Sequence, residues 1–255
     1  MQRAKEDKNF IYGIRAVMEA IEAGEAIDKV LVKNNMTGEL SKDLFNLIRD
    51  NDIVTQRVPE EKLNRITRKN HQGVVAFISP VRYYDLDNMI SSIYEDGSIP
   101  FFVVLDGITD TGNFGAIART ASCAGVDALI IPEKGSVTVT PTAIKTSAGA
   151  LFHLPVCRVK NIRDAVRTLQ ENGIAVIGAS EKAKEMYTDV KLDVPVAIVM
   201  GAEDKGISTD VLKTCDSLVA IPMLGDIASL NVSVAAGVMM YEVVNQRLSG
   251  GLTLE

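Results

Sequence analysis

Residues 221–233 read IPMLGDIASLNVS and lead into a long apolar segment over residues 232–247. Pro222 ends a strand-like run and Gly225 allows a sharp turn. A helix is predicted to begin close to Asn231, because a polar residue that can cap a helix stands there before the apolar segment. The stretch therefore reads as a strand, an irregular polar loop and a buried helix.

Two earlier patches have the same character. Residues 110–119 read DTGNFGAIAR and residues 200–206 read MGAEDKG, and each follows an apolar, strand-like run. Each patch combines glycine with a few polar groups at a point where the chain should turn. Open α/β sheets bind ligands at the loops after the carboxyl ends of their strands. The three patches therefore predict one composite site.

A regular alternation of strands and helices begins at Phe101 and continues through the long apolar segment. The predicted strands are near-continuous apolar runs, as expected for parallel strands covered on both faces. The alternation predicts an α/β fold with a parallel sheet. The predicted strands cover residues 101–105, 128–131, 174–179, 196–200 and 217–221, and the predicted helices cover 115–124, 142–147, 162–171, 208–214 and 232–247.

The first eighty residues show a smaller α/β pattern of their own. Amphipathic spacing predicts helices at 15–23, 40–48 and 63–66, and apolar runs predict strands at 29–33, 53–58 and 74–78. Turn-forming residues, EDGSIP, follow at 95–100. The predicted organisation is an N-terminal domain over residues 1–80, a linker over 81–99 and a C-terminal domain over 100–255.

The composition excludes several classes of protein. The chain has 255 residues, 47% of them hydrophobic, so it can bury a core, yet no apolar run is long enough to predict a membrane span. Its charged N-terminus does not resemble a secretory signal. Three widely spaced cysteines indicate reduced thiols and a cytoplasmic location, and two histidines without a CxxC pair argue against a metal site.

The charge is uneven along the chain. The net charge is −6, but residues 1–80 carry 13 basic and 12 acidic side chains, whereas the rest is strongly acidic. A basic group in the N-terminal domain is the expected first contact for a polyanion such as RNA. The alternative interpretation is a solvated helix face. The basic residues are Arg57, Lys62, Arg65, Arg68 and Lys69.

The first two patches carry the side chains with the clearest chemistry. Asn113 is a candidate N-cap, and the guanidinium of Arg119 suits a phosphate or carboxylate, although a cap and a surface ion pair would explain both. Glu203 could hold a ribose hydroxyl, attract a cationic ligand or pair with Arg119. The patch around Glu203 is not a Walker A loop, and no GxGxxG occurs, so a classical NAD site is disfavoured.

The third patch offers backbone groups as well as side chains. The N–H and C=O groups of residues 221–230 could bind a flat heterocycle, with Ser229 and Asn231 near the reacting atoms. The alternative is that Asn231 or Ser233 only caps the final helix.

The three patches contain motifs that resemble those of a known family. The motifs NxGAxxR at 113–119, GxExxG at 201–206 and IPM…SLNVSVAAG at 221–237 resemble the three motifs of the SPOUT superfamily, TrmH branch. Those enzymes are S-adenosylmethionine-dependent RNA ribose 2′-O-methyltransferases. The segments FIYGIRAV at 10–17 and HQG at 71–73 resemble the N-terminal domain of the subgroup that methylates a guanosine of large-subunit (23S) ribosomal RNA.

The resemblance implies an architecture and partners. The C-terminal domain would be a SPOUT parallel sheet with a deep trefoil knot, and the N-terminal domain would be an RNA-binding fold like that of ribosomal protein L30e. The protein would be a homodimer with its site near the interface. The alternatives are a tRNA guanosine substrate, or a non-catalytic RNA-binding or ribosome-assembly factor.

The resemblance also implies roles for single residues. The family commonly reads DPHNLG where this chain has DTGNFG at 110–115, so a proline and a histidine are replaced and a looser loop is expected. The implied contacts to S-adenosylmethionine are Gly201, Ile221, Met223 and Leu230, and the implied catalytic residues are Arg119, Asn113, Glu203, Ser229 and Asn231.

Overall fold

Two sheets of different size organise the chain. The structure, a computed structural model, describes residues 10–251, which divide into one unit of residues 10–82 with 138–141 and a second of residues 83–137 with 142–251. Among the described residues, no helix combines the length and the hydropathy needed to cross a membrane.

The first unit has a four-stranded sheet in the order β1-β4-β2-β3. Strands β2 and β3 are parallel, and the other two pairs are antiparallel. The elements are β1 (Phe10–Tyr12), α1 (Ile14–Glu22), β2 (Ile27–Lys33), α2 (Glu39–Asp50), β3 (Thr55–Val58), α3 (Glu60–Ile66) and β4 (Val74–Ile78).

The two faces of this sheet are covered differently. Helices α1 and α2 pack on one face, where Val17 and Leu44 are fully buried against Val30. On the opposite face, Leu63 of α3 is fully buried against Leu31. The alternation of side chains along a strand sends successive residues to opposite faces, so β1, β2 and β4 each contribute residues to both cores.

The second unit has an eight-stranded sheet in the order β10-β12-β9-β11-β6-β7-β8-β5, with every neighbouring pair parallel. This confirms the predicted α/β fold with a parallel sheet. The elements are β5 (Tyr83–Tyr84), α4 (Leu86–Glu95), β6 (Phe101–Asp106), α5 (Thr111–Cys123), β7 (Ala128–Pro132), α6 (Pro141–Thr146), a 3-10 helix (Ala150–Phe152), β8 (Val156–Val159), α7 (Ile162–Glu171), β9 (Ala175–Ala179), β10 (Glu185–Met186), β11 (Val196–Gly201), α8 (Thr209–Leu212), β12 (Ser217–Ala220) and α9 (Val232–Ser249).

The centre of this sheet brings two of the three polar patches together. Strands β6 and β11 are neighbours, and Gly201 at the end of β11 pairs with Asp106 at the end of β6. Both strands are almost completely buried, as the near-continuous apolar runs predict. The patches that follow these strands therefore begin side by side at one edge of the sheet.

The last helix is fixed at its far end by Arg247. Its guanidinium donates hydrogen bonds to the carbonyl oxygens of Ile99 (3.1 Å), Pro100 (2.8 Å) and Val194 (3.2 Å), and it lies 5.1 Å from the ring centroid of Phe101. These residues precede or begin β6 and β11. The C-terminal end of α9 is thus held at the amino ends of the strands, and its N-terminal end lies at the carboxyl ends.

The predicted linker over residues 81–99 is corrected by the structure. Tyr83 and Tyr84 form β5, which pairs with β8, and α4 buries Leu86, Ile90 and Ile93 in the core of the second unit. The boundary lies at residue 82. The segment has helical apolar spacing and Asp85 as an N-cap, so its turn-forming residues at 95–100 only separate α4 from β6.

Two further elements differ from what the sequence predicts. Strand β8 was not predicted, because Arg158 interrupts a run of only four residues. Helix α5 begins at Thr111 rather than Gly115, with Asp110 as its N-cap. Thr111 and Gly112 therefore lie in the ordered first turn of a helix, not in the looser loop that the replacement of proline and histidine led us to expect.

Candidate active site

The second patch is a tight loop that returns to the end of β11. Ala202 and Gly206 exchange backbone hydrogen bonds of 3.1 and 2.7 Å, and Gly206 has a φ of +67°. A Cβ atom at Gly201 would lie 2.0 Å from the backbone carbon of Gly206 and 2.0 Å from the nitrogen of Ile207. Only glycine fits at position 201, and this close approach places Glu203 at the tip of the loop.

Glu203 joins all three patches through hydrogen bonds. Asn113 Nδ2 donates to Glu203 Oε2 at 3.3 Å, and Asn231 Nδ2 donates to Glu203 Oε1 at 3.1 Å and to Asn113 Oδ1 at 3.0 Å. The three side chains form a closed polar cluster at the carboxyl ends of the strands, which we call the Asn–Glu–Asn cluster. The structure thus brings the three sequence patches together.

Two helix N-termini position this cluster. Asp110 Oδ1 accepts a hydrogen bond from the backbone N–H of Asn113 at 2.7 Å and caps α5, so the prediction that Asn113 is the N-cap is wrong. Asn231 caps α9, and its Oδ1 accepts from the backbone N–H of Ser233 at 2.9 Å and from the Ser233 hydroxyl at 2.6 Å. The N-terminal ends of α5 and α9 therefore both lie at the cluster.

The hydrogen bonds already formed in the cluster determine which of its atoms can accept another. Asn231 Oδ1 already accepts twice, and both amide groups donate inside the cluster. A carboxylate offers about four lone-pair sites, and each oxygen of Glu203 uses one. Most of the free acceptor capacity of the cluster is therefore on Glu203, in a position that the two amides fix.

A cavity of about 260 Å³ lies beside the cluster. It is lined by the predicted cofactor-binding residues Gly201, Ile221, Met223 and Leu230, together with Ser229 and Glu203. In the described part of the chain, the backbone groups of residues 222–230 make no hydrogen bond. Unpaired N–H and C=O groups of this kind can bind the edge of a flat heterocycle, the type of ligand that the sequence suggests for residues 221–230.

A second cavity lies on the other side of Glu203. Asn113, Asp110 and residues 107–109 line it, and Ala202, Glu203, Asp204 and Val232 line both cavities. The two cavities therefore adjoin at Glu203, so groups bound in either one can lie next to its carboxylate. Sequence reasoning predicted a single site and missed this second cavity.

Arg119 is not part of the Asn–Glu–Asn cluster. It lies six residues after Asn113 on α5, which turns its side chain by about 240° around the helix. Its side chain is exposed, lines neither cavity and has no hydrogen-bond or ion-pair partner among residues 10–251. The possible pairing of Glu203 with Arg119 is therefore not formed, and Glu203 is held by amides instead.

The five basic residues of the first unit are exposed but do not form one patch. Arg57 lies over the ring of Phe45, 5.4 Å from its centroid, on the side of the sheet covered by α2. Lys69 lies 5.9 Å from the ring centroid of Tyr12, on the opposite side. The remaining three, Lys62, Arg65 and Arg68, lie on or just after α3.

Two acidic residues that sequence reasoning missed support the site. Asp110 caps α5, and Asp106 Oδ2 accepts a hydrogen bond from the backbone N–H of Ser208 at 2.7 Å, which ties the chain after the Glu203 loop to the end of β6. The spacing of an aspartate three residues before Asn113 is typical of an N-cap and could have identified Asp110. No local pattern points to the contact made by Asp106.

The cysteines do not contribute a reactive thiolate near this site. Burial raises the pKa of Cys157 to about 12 and that of Cys215 to about 11, so both are protonated at neutral pH. All three cysteines are free, as the sequence predicts, and Cys123 is exposed. The chemistry of the site therefore depends on its carboxylate, amide and backbone groups.

Comparisons with known proteins agree with this geometry. The SpoU rRNA methylase family model matches residues 100–241, and the model for RNA 2′-O ribose methyltransferase substrate binding matches residues 10–84. A Staphylococcus haemolyticus protein assigned to the TrmH family of tRNA/rRNA methyltransferases is 40% identical over 237 residues, which cover 93% of this chain and 95% of that protein. A Staphylococcus saprophyticus protein with the same assignment is 38% identical over 237 residues, with the same two coverages.

The solved structure of a similar protein identifies the cofactor. The SpoU methyltransferase AviRb from Streptomyces viridochromogenes, in complex with AdoMet, has a TM-score of 0.59 and 27% sequence identity over 94% of this chain and 91% of that chain. The chain therefore belongs to the SpoU, or TrmH, family of RNA 2′-O ribose methyltransferases, which use S-adenosylmethionine as methyl donor.

Proposed function

We propose that this protein methylates the ribose 2′-hydroxyl of a guanosine in large-subunit ribosomal RNA. The observation that carries the proposal is the position of Glu203, which lies between two cavities and is fixed by amides from both other patches. One cavity would hold S-adenosylmethionine and the other the target nucleotide. The sequence resemblance of residues 10–17 and 71–73 to the guanosine-specific subgroup supports the choice of substrate.

The cofactor supplies an electrophilic methyl group on a positively charged sulfur. We assign its binding to Gly201, Ile221, Met223 and Leu230, which line the first cavity. The free backbone groups of residues 222–230 would bind the base. The uncompensated negative charge of Glu203, whose partners are neutral amides, would favour a cationic ligand over its neutral demethylated product.

Glu203 is the proton acceptor in this proposal. The oxygen–methyl bond forms as the methyl–sulfur bond breaks and its electron pair remains on sulfur, while the hydroxyl proton passes to Glu203 and then to water. Asn113 and Asn231 hold the carboxylate in place, and Ser229 orients the ribose. Because methyl transfer neutralises charge, positioning contributes more than stabilisation of an oxyanion.

Arg119 has a different role, because a guanidinium stays protonated and cannot accept the proton. We propose that it binds the phosphate beside the target ribose. Arg119 lies outside both cavities of its own chain, so we propose that it reaches the site of the partner subunit in a homodimer. An exposed apolar stripe of α9, spaced by seven residues, supports such an interface: Val234, Tyr241 and Leu248 are 52, 51 and 37% exposed.

The homodimer makes a first prediction. Tyr241→Glu should place a charge in the centre of the stripe, convert the dimer to a monomer and lower methyl transfer at least tenfold, because each site would lose Arg119 of the other subunit. Light scattering coupled to size-exclusion chromatography measures the mass. Leu40→Glu, at an apolar residue of the first unit that is 37% exposed, is the matched control and should remain dimeric. A wild-type monomer, or a dimeric Tyr241→Glu protein, would contradict the proposal.

The second prediction concerns Arg119. Arg119→Lys keeps the charge but loses the planar, two-pronged donor geometry that suits a phosphate. Methyl transfer measured as kcat/KM for RNA should fall about 10- to 100-fold, while the affinity for S-adenosylmethionine should not change. Near-normal turnover of the lysine variant would show that a bidentate contact is not needed.

The substrate has one alternative, a guanosine in tRNA, because the two staphylococcal relatives are assigned to tRNA/rRNA methyltransferases. The test uses cells that lack this protein. Large-subunit ribosomal RNA and tRNA from these cells are purified and incubated separately with the protein and labelled S-adenosylmethionine. Label in ribosomal RNA alone supports the proposal, and label in tRNA alone overturns the choice of RNA.

The finer features of the fold belong to the same proposal. We propose that the second unit carries the deep trefoil knot of SPOUT enzymes, formed around the loops that hold the cofactor, and that the first unit is an RNA-binding fold like that of ribosomal protein L30e. The model match over residues 10–84 supports a role of the first unit in substrate binding. The free cysteines are consistent with action in the cytoplasm.

A further inference from the structure

Three aromatic rings lie side by side on one face of the sheet in the first unit. Phe10 and Tyr12 are alternate residues of β1, and Phe77 of β4 is paired with Phe10. The ring centroids of Phe10 and Tyr12 are 6.3 Å apart, and those of Phe10 and Phe77 are also 6.3 Å apart. All three rings are only partly buried, so they pack on the core from one side and reach solvent on the other.

The covering of this face explains why the rings are accessible. Helix α3 lies on the same face and buries Leu63 against Leu31, Val58 and Val75. Helices α1 and α2 pack on the opposite face, away from the rings. The aromatic cluster therefore continues the α3 core at the side of β1, an edge strand of this sheet.

Two ammonium groups lie over the rings. Lys29 Nζ is 5.1 Å from the ring centroid of Phe77, and Lys69 Nζ is 5.9 Å from that of Tyr12. Neither ammonium has a hydrogen-bond or ion-pair partner among residues 10–251. Proteins that bind single-stranded nucleic acid combine these two features, because aromatic rings stack on bases and cations bind the backbone phosphates.

We propose that Phe10, Tyr12 and Phe77 form a stacking platform for unpaired nucleobases, with Lys29 and Lys69 binding the adjacent phosphates. This inference rests on the proposed function in one respect, that the substrate is RNA. An unpaired loop is the favoured ligand, because RNA recognition that reads bases depends on splayed nucleotides that can stack on side chains. The aromatic platform, rather than the predicted basic group alone, is then the main RNA contact of the first unit.

The experiment measures binding of the full-length protein to a short single-stranded oligoadenylate that carries 2-aminopurine, without S-adenosylmethionine. Stacking on a ring quenches 2-aminopurine fluorescence, so the signal reports the contact itself. Tyr12→Leu and Phe77→Leu keep apolar volume but remove the flat ring. Each should weaken binding about tenfold, since loss of one base–aromatic stack has an effect of this order, and each should reduce the quenching.

Matched controls separate stacking from general damage. Phe45→Leu makes the same change at another partly buried ring under a cation, on the opposite face of the sheet, and should leave the affinity within about twofold. Lys29→Gln and Lys69→Gln should each lower the slope of log affinity against log salt by about 0.7, the value for one phosphate contact to a single strand. The leucine variants should leave that slope unchanged.

Three results would overturn the platform. They are unchanged affinity of both Tyr12→Leu and Phe77→Leu, an equal loss in Phe45→Leu, or equally tight binding of an RNA duplex of the same length. Methyl transfer by the wild-type protein to ribosomal RNA is a separate readout. A protein that methylates RNA but binds the oligonucleotide independently of these rings would refute the platform alone and leave the proposed function standing.

Discussion

Glu203→Gln is expected to lower the rate of methyl transfer by about 100- to 10,000-fold, the usual contribution of a general base. The glutamine keeps the size of the side chain and can still accept one hydrogen bond, but it removes the carboxylate that the Asn–Glu–Asn cluster holds between the two cavities. Affinity for S-adenosylmethionine should fall by a much smaller factor, because the charge of Glu203 is only one of the features of the cavity that favour the cofactor. Single-turnover kinetics at saturating RNA measures the rate, and calorimetry measures the affinity.

Asp204→Asn is the comparison that sharpens this test. Asp204 is the next residue, lines the same two cavities and carries the same charge, but no hydrogen bond within residues 10–251 fixes its carboxylate. We expect a loss of less than tenfold, because an unfixed carboxylate is a poor base. A larger loss for Asp204→Asn than for Glu203→Gln would identify Asp204 as the proton acceptor and contradict the assignment to Glu203.

Gly201→Ala is expected to remove cofactor binding and to destabilise the protein. A Cβ atom at this position would lie 2.0 Å from backbone atoms of Gly206 and Ile207, and backbone cannot move aside as the end of a side chain can. The Glu203 loop would have to leave the end of β11. We expect the free energy of unfolding to fall by about 3 kcal/mol, as for severe overpacking, and the affinity for S-adenosylmethionine to fall at least 100-fold.

Gly225→Ala provides the matched control for this substitution. Gly225 lies in the loop of residues 222–230, and a Cβ atom there would meet no other atom within 4 Å. Its unfolding free energy should change by less than about 0.5 kcal/mol, as for an ordinary surface substitution. Chemical denaturation measures both variants. A Gly201→Ala protein as stable as Gly225→Ala would show that the loop does not depend on the close approach at Gly201.

The convergence of the three patches could be predicted from the sequence for a simple reason. Strands β6 and β11 read as buried apolar runs, which indicates a parallel sheet, and parallel strands place the loops that follow them at one edge. Asn113, Glu203 and Asn231 follow such runs or the loop after β12, and they do meet. The positions of the apolar runs in the sequence are therefore enough to predict that the three patches meet.

Other features depend on long-range packing and could not be predicted. The hydrogen bond from Ser208 to Asp106 joins residues that are 102 positions apart, and the absence of an ion pair between Arg119 and Glu203 is likewise a property of the folded site. The segment around α4 looked like a linker because its turn-forming residues are a strong local signal, whereas pairing of β5 with β8 is a contact between distant residues. The five basic residues were grouped by sequence, although the sheet separates Arg57 from Lys69.

The most direct test of this account is the identity of the methylated nucleoside. The purified protein is incubated with labelled S-adenosylmethionine and total RNA from cells that lack it, and the RNA is digested to nucleosides for mass spectrometry. We expect the label in 2′-O-methylguanosine from large-subunit ribosomal RNA. Label on a base, or no transfer to any RNA by a protein that binds the cofactor, would contradict it and favour a non-catalytic RNA-binding factor in the latter case.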